Sequence, residues 1–348
     1  MSHGNDDMTS LLSLQKLRQG LLLVVKVTVL VTLVTYLIVM MIDFVATPLQ
    51  RQGERIYSID VPLPGRNGTL DLVTRAPIAA LAVVPERYQV EAGLTVFLPL
   101  FTSGLPTQTR LNIWDSVRSL YQEMSLDSEW RSLPSVTGYA ATDLVGISPQ
   151  RAHAYIYVPK SAHGKPKKAV IFLHGSLGNL LAYPYLWSRY AEATGSLIVC
   201  PTFGFGAWSE EEDVISTVMS SLPSDLQVPR SKTALAGLSA GGYGVVKELR
   251  RHSDYRAAVF ISAVMPDVSM IKSLSDTWGG KPFLLFHGSS DFVVSESYAR
   301  EMTAEYRAFG ATLDIFPDET HFLFMTQAPR IFERIQDALQ SSLVEKAE

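Results

Sequence analysis

The sequence predicts an α/β protein: a mostly parallel sheet with helices on both faces, preceded by an N-terminal transmembrane helix. Three observations carry that expectation. From about residue 152 onward, short β-branched runs alternate with amphipathic helical stretches. One of those runs leads into a glycine-flanked serine, in the string TALAGLSAGGYG at 233–244, and a helix leads out of it. Near the N-terminus, Leu21 to Ile42 forms one long, almost wholly apolar run.

The predicted strands are Tyr155–Val158, Ala169–Leu173, Ser196–Cys200, Thr233–Leu238, Ala257–Ile261, Pro282–Phe286 and Thr312–Phe316. They are almost continuously apolar rather than alternating, the pattern of strands covered on both faces. The helices between them have readable ends. Ser209 and Glu212 form a capping box ahead of Val214, Ile215, Val218 and Leu222. Ser295 opens a helix carrying Tyr298, Met302, Tyr306 and Phe309, which Gly310 closes. Val245 to Arg251 is the helix after the serine, and the last helix follows Pro329 with Ile331, Ile335 and Leu339.

The apolar run explains the chain's one odd number. Mean hydropathy is +0.13 over 348 residues, yet only Lys26, Thr28, Thr32 and Thr35 interrupt the run. Those 22 residues carry more hydropathy than the whole chain's total, so the remainder averages slightly below zero. As a helix the run spans about 33 Å, against roughly 30 Å of bilayer hydrocarbon. A cleaved signal peptide would have a shorter apolar region, and Phe44 puts a bulky residue where its cleavage site needs a small one. Lys26 lies close enough to one end to snorkel. With Lys16 and Arg18 it outweighs Arg51 and Arg55, which places the N-terminus in the cytoplasm and the large C-terminal part on the exoplasmic side.

The organisation predicted is a tail at 1–20, an anchor at 21–42, a linker at 43–70, an extension at 71–150 and an α/β domain at 151–345. In the linker Tyr57, Ile59 and Val61 alternate as one short strand. In the extension Leu111, Trp114, Val117, Tyr121 and Met124 form a helical stripe between Arg110 and Met124 that packs on a core. The rest of the extension is placed to cover a site.

Composition excludes several functions. Thirty basic against 34 acidic residues, a net charge of -4, leave no electrostatic footprint for nucleic acid. A single cysteine, Cys200, rules out an internal disulfide and a cysteine metal cluster, and its place at the end of an apolar strand reads as core. No metal site is expected.

The chemistry lies at the strand ends. Gly237-x-Ser239-x-Gly241 between a strand and a helix is a nucleophile elbow, a sharp turn holding its serine in a strained backbone conformation. The residues two before and two after must be small, because the turn brings them together. A serine hydroxyl needs a base, and the base needs an orienting acid. The elbow predicts the chain order nucleophile, acid, base. Asp291 follows Pro282–Phe286 and His321 follows Thr312–Phe316, at spacings of 52 and 30 residues. Each step leaves room for a strand and a helix, so the three side chains can meet at the sheet's C-terminal edge. Asp267, after Ala257–Ile261, is the rival acid. Oxyanion donors are expected from the N–H groups of Ala240 and of Ser176, with Leu177 the alternative to Ser176. His174 and His287 shape turns, His153 and His252 are expected at the surface, and Trp208 and Tyr243 either pack or line an acyl pocket.

FLHGSLGN, GLSAGGYG, HGSSDFVV and THFLF together resemble the oxyanion loop, elbow, acid loop and base loop of the α/β-hydrolase superfamily, over about 150–345. The chain is similar to compact esterases of the polyhydroxybutyrate-depolymerase, feruloyl-esterase and carboxylesterase types. It also resembles the catalytic domain of prolyl-oligopeptidase-like peptidases, without room for their propeller. The resemblance implies serine hydrolysis of esters, thioesters or amides with no cofactor. The expected protein is a membrane-anchored serine esterase acting on small-molecule or lipid esters. A peptidase, a thioesterase or lipase, and a binding protein on a dead hydrolase fold are the alternatives.

Overall fold

Apolar runs buried on both faces must find strand partners on either side, and six strands of one eight-stranded sheet do so, the first and last strands forming its edges. A computed structural model describes residues 55–62, 104–131, 151–162, 165–176, 178–202 and 213–344, with single positions 86, 87, 90, 94, 95, 102, 133 and 208. The chain divides into two units, Met1–Pro48 and Leu49–Glu348, and the described residues all lie in the second. The expected transmembrane helix at 21–42 lies outside them. Among the described residues no helix is long and apolar enough to cross a membrane.

In chain order the elements are β1 (Ile56–Pro62), α1 (Thr107–Leu126), β2 (Arg151–Tyr157), β3 (Lys168–Leu173), α2 (Ala182–Thr194) and β4 (Ser196–Thr202). Then come α3 (Val214–Ser221), β5 (Thr233–Leu238), α4 (Gly241–Arg251), β6 (Ala257–Ile261), β7 (Phe283–Gly288), α5 (Glu296–Glu305), β8 (Ala311–Phe316) and α6 (Leu323–Val344). The strand order is β1-β2-β4-β3-β5-β6-β7-β8. β2 runs antiparallel to β1 and β4, and the other neighbours are parallel. All seven strands expected after residue 152 are present, within a few residues of their expected ends. The strand expected in the linker is β1, which pairs Ile56 with Tyr157 and Val61 with Ala152 and so belongs to the sheet.

Successive strand residues feed two cores. On one face Val170, Phe172, Ile198, Ala236 and Phe286 meet α1, α2 and α6. On the other Ile171, Leu173, Val199, Leu235 and Phe260 meet α3, α4 and α5. Phe172 and Trp187 are fully buried, each burial contributing on the order of 2–3 kcal/mol. Three ring pairs, Phe172–Trp187, Phe172–Phe324 and Trp187–Phe332, tie β3, α2 and α6 together.

The helices correct the sequence reading in detail. α1 buries Ile113, Val117, Leu120, Tyr121 and Met124, while Leu111 is 49% exposed. Its stripe is rotated from the expected one, because α1 packs between two helices rather than on one flat face. α3 is capped by Asp213, whose Oδ1 accepts the Ser216 N–H at 3.1 Å. The expected box residues Ser209 and Glu212 lie outside the described residues. α5 has its expected cap, with Ser295 Oγ accepting the Tyr298 N–H at 3.2 Å. α6 starts well before Pro329, and Gln327 breaks its dihedrals at φ -126°. A proline cannot supply the N–H that a continuous helix needs, so the break falls just ahead of it. Glu319 anchors the short leading segment through the Thr326 hydroxyl and the Gln327 amide. His153, expected at the surface, is buried, since β2 is paired on both sides and covered. Cys200 is a buried free thiol, and burial pushes its pKa up.

Two carboxyls away from the serine turn are held by hydrogen bonds. Glu86 accepts the Leu181 and Ala182 N–H groups at 2.6 and 3.3 Å and the Tyr121 hydroxyl, so it tethers the extension to the start of α2. Glu248, in α4, accepts the Tyr255 hydroxyl at 2.7 Å. Burial pushes Glu248 up to about 7, partly opposed by the Tyr255 bond, and Asp213, Arg230 and Arg251 are the charges around it. Its ordinary value is 4.5, so between there and about 7 the folded chain holds a proton the unfolded chain has released. Stability contributed by this group is therefore complete below about 4.5 and is lost as pH rises to about 7. Glu248→Gln is expected to remove part of the fall in urea midpoint between about pH 5 and pH 8, on the order of 3 kcal/mol of pH dependence. An unchanged slope in that variant would assign the proton elsewhere, first to Glu86, which burial also raises to about 7.

Candidate active site

The turn between β5 and α4 is as tight as its glycines require. A Cβ on Gly237 would lie 2.6 Å from the Gly241 carbonyl, and one on Gly241 would lie 2.1 Å from Leu173 O. Ser239 has φ +51°, left-handed for a residue with a side chain. Such strain costs on the order of 1–3 kcal/mol and persists only where neighbours over-determine it. Here the Ser239 N–H donates to Ile261 O at 3.0 Å, and Ser239 O accepts the N–H groups of Gly242 and Val264 at 3.0 and 2.9 Å. The result is a serine lifted to the C-terminal edge of the sheet, at the N-terminus of α4, where developing negative charge is favoured.

The acid and base loops are stitched to one another. The Ser289 N–H donates to Phe316 O at 3.0 Å and the Ser290 N–H to Glu319 O at 2.8 Å. A Cβ on Gly288 would come within 2.3 Å of Glu319 O, so only glycine admits the second loop there. This brings Asp291 and His321 together. His321 Nδ1 lies 2.8 Å from Asp291 Oδ2 and 3.1 Å from Oδ1. Oδ1 also accepts the N–H groups of Val293 and Val294, each at 2.9 Å. Burial alone would raise the Asp291 pKa, but the His321 bond and charge and the two amides bring it below the usual carboxylate range. An ionised carboxylate only accepts, so Nδ1 carries the imidazole proton and Nε2 keeps its lone pair. Asp291 is deeply buried, whereas the His321 side chain is 19% exposed.

Ser239 and His321 are not hydrogen-bonded to each other among the described contacts. In hydrolases that bond commonly closes only with substrate in place. The rival acid, Asp267, is exposed and spends its Oδ1 on the Ser269 N–H at 2.7 Å, capping a short 3-10 turn. The structure therefore pairs Asp291, not Asp267, with His321.

The loop after β3 approaches the serine from the other side. A Cβ on Gly175 would stand 3.1 Å from Ser239 Cβ. Ser176 follows in a turn closed by the Gly178 N–H to Gly175 O at 3.2 Å. No hydrogen bond engages the N–H of Ser176 or of Ala240 among the described residues. Leu177, the alternative donor, lies outside them. His174 is fully buried, its Nδ1 2.7 Å from Gly175 O, and burial lowers its pKa to about 4. It is neutral and shapes the turn. Trp208 donates its Nε1–H to His174 O at 2.8 Å and lies against Gly244, so it packs under the loop. His287 does the same for the acid loop, with Nε2 2.9 Å from Val294 O.

Sequence reasoning missed Asn179. Its Nδ2 donates to Cys200 O at 2.7 Å and Thr202 Oγ1 at 3.0 Å, tying the loop after β3 to the end of β4. The available signal was a polar residue inside an otherwise apolar and glycine-rich turn. Among the described residues no group of three or more His, Cys, Asp or Glu side chains is placed to hold a metal.

A serine on a left-handed elbow, a His–Asp pair on the last two strand ends and this strand order resemble the α/β-hydrolase arrangement, and solved structures similar to this chain include esterases and a serine hydrolase. One is a thermostable esterase, 20% identical over 56% of this chain and 59% of its own length, at a TM-score of 0.43. The chain thus spans about three fifths of that protein. Another is a fluorophosphonate-binding serine hydrolase of Staphylococcus aureus, 16% identical over 55% of this chain and 93% of that one, at 0.46. A third is a thermophilic esterase of Thermogutta terrifontis, 18% identical over 57% and 89%, at 0.41. These likenesses concern the fold. No family model matches the chain, and no curated protein matches it in sequence.

Proposed function

We propose that this chain is a serine hydrolase cleaving carboxylic esters through an acyl-serine intermediate, held at a membrane by residues 21–42. The observation that carries the reading is the His321–Asp291 pair at the same sheet edge as the strained Ser239. Ser239 Oγ attacks the ester carbonyl while His321 Nε2 takes its proton. Asp291 holds the imidazole in the Nδ1–H tautomer and stabilises the imidazolium. The N–H groups of Ala240 and Ser176 receive the tetrahedral oxyanion, each worth about 3–4 kcal/mol of transition-state stabilisation. His321 returns the proton to the departing alkoxide. Water, deprotonated by the same histidine, then cleaves the acyl-serine and restores the hydroxyl. The apolar run supports the anchor, and the charges around it support an N-terminus in the cytoplasm with the hydrolase unit on the exoplasmic side.

The test assays carbonate-washed membranes from cells expressing the full chain on p-nitrophenyl acyl esters and on peptide amides. The expected result is ester turnover retained in the washed pellet, with kcat/KM for amides at least a hundredfold lower. Faster amide turnover would make it a peptidase, and activity in the wash would remove the anchor from the reading.

A further inference from the structure

Apolar side chains exposed among the described residues are few: Leu111, Leu126, Val264 and Val293. Two of the four stand at the site. The Val264 N–H donates to Ser239 O, and the Val293 N–H donates to Asp291 Oδ1. Val293 is 59% exposed in a turn, where a polar residue or glycine would ordinarily sit. Its neighbour Phe292 follows the acid directly, and Phe322 follows the base. Their rings lie 6.4 Å apart, tilted by 41°, and both residues are partly buried. Phe292 and Phe322 thus form an apolar ring pair on the two loops that hold the acid and the base, and the exposed Val293, next to Phe292 in the chain, extends this apolar rim.

Reaction geometry says which part of a substrate meets this rim. The tetrahedral intermediate carries four substituents. One is Ser239 Oγ, and the oxyanion turns to the N–H groups of Ala240 and Ser176. The leaving oxygen must face His321, because His321 protonates it. The acyl chain takes the remaining direction, away from both. The alcohol portion therefore departs along the side of His321, beside Phe292, Val293 and Phe322. We infer that this rim is the alcohol-binding surface, and that the enzyme prefers esters of apolar alcohols over esters of small or charged ones. The inference rests on the esterase reading and specifies its substrate class.

The size of the preference follows from the openness of the rim. A fully buried methylene is worth about a fourfold change in equilibrium, and one covered on a single side about half that in free energy, or roughly twofold. The experiment uses the full-length chain and two ester series below their aggregation concentrations. The first fixes acetate and lengthens the alcohol from ethyl to hexyl. The second fixes ethanol and lengthens the acyl chain from acetate to hexanoate. The expected kcat/KM rises roughly twofold per methylene in the first series, about tenfold or more from end to end. Val293→Asp is expected to flatten or invert that rise while leaving the acyl-series slope as in the wild type. Phe322→Ser should act in the same direction; because Phe322 also touches the core, the exposed Val293 site is the decisive one. A flat alcohol series in the wild type, or an unchanged slope in Val293→Asp, would overturn the inference. So would an effect confined to the acyl series, which would give the rim to the acyl chain. Retained ethyl acetate turnover in those cases would leave the esterase reading standing, whereas no turnover of any ester would fail that reading itself.

Discussion

Ser239→Ala is expected to lower kcat for ester hydrolysis by on the order of a millionfold and to abolish covalent labelling by a fluorophosphonate. Both effects follow from losing the one hydroxyl that the elbow presents. The fold should survive. Alanine at φ +51° carries the same Cβ strain as serine, and the backbone bonds that hold the turn use Ser239 N and O, not Oγ. A thermal midpoint within a few degrees of wild type would show this. Residual activity well above solution hydrolysis is expected, because the proposed oxyanion donors at Ala240 and Ser176 remain. Persistent fluorophosphonate labelling of the variant would move the nucleophile to another residue.

Asp291→Asn is expected to cost about ten-thousandfold in kcat, with little change in stability. The direction follows from the hydrogen bonds around the carboxylate. Val293 and Val294 both donate to Oδ1. An asparagine in the same pose keeps those two bonds with its own oxygen. Its Nδ2–H₂ then replaces Oδ2 and points at His321 Nδ1. The imidazole must accept there, so its proton moves to Nε2, and Nε2 can no longer take the serine's proton. Asp267→Asn, by contrast, keeps its surface cap through its own amide oxygen and should leave kcat within about twofold of wild type. The reverse ranking of the two variants, read from kcat on one ester, would transfer the acid's role to Asp267.

The sequence exposed the sheet because its strands are apolar on both faces, a signal that needs no knowledge of neighbours. The elbow was legible for a related reason. Gly237 and Gly241 are forced by contacts within one turn and with the adjacent strand end, so spacing alone encodes them. What escaped depends on pairing at long range. The alternation of Tyr57, Ile59 and Val61 marks a strand, but nothing local says that its partner is nearly a hundred residues away. The rotation of the α1 stripe is set by α2 and α6, and the burial of His153 by covering on both sides. Asn179 belongs to the same class, since its bonds reach the end of a strand 21 to 23 residues on. The choice between Asp291 and Asp267 was likewise tertiary. Both follow strands, and only the stitching of the loops at Gly288 and Ser290 brings one of them to His321.

The place of β1 bears on where this chain tolerates a cut. It closes one margin of the sheet, with all seven of its residues in register against β2 and the Val158 N–H reaching back to Arg55 O at 2.7 Å. A soluble fragment trimmed to the start of the β2 strand would leave a row of unpaired backbone groups along Arg151–Tyr157. Such a margin recruits strands from other molecules and leads to aggregation. A fragment that keeps the β1–β2 pairing, including the Val158 bond to Arg55, must therefore begin before Arg55.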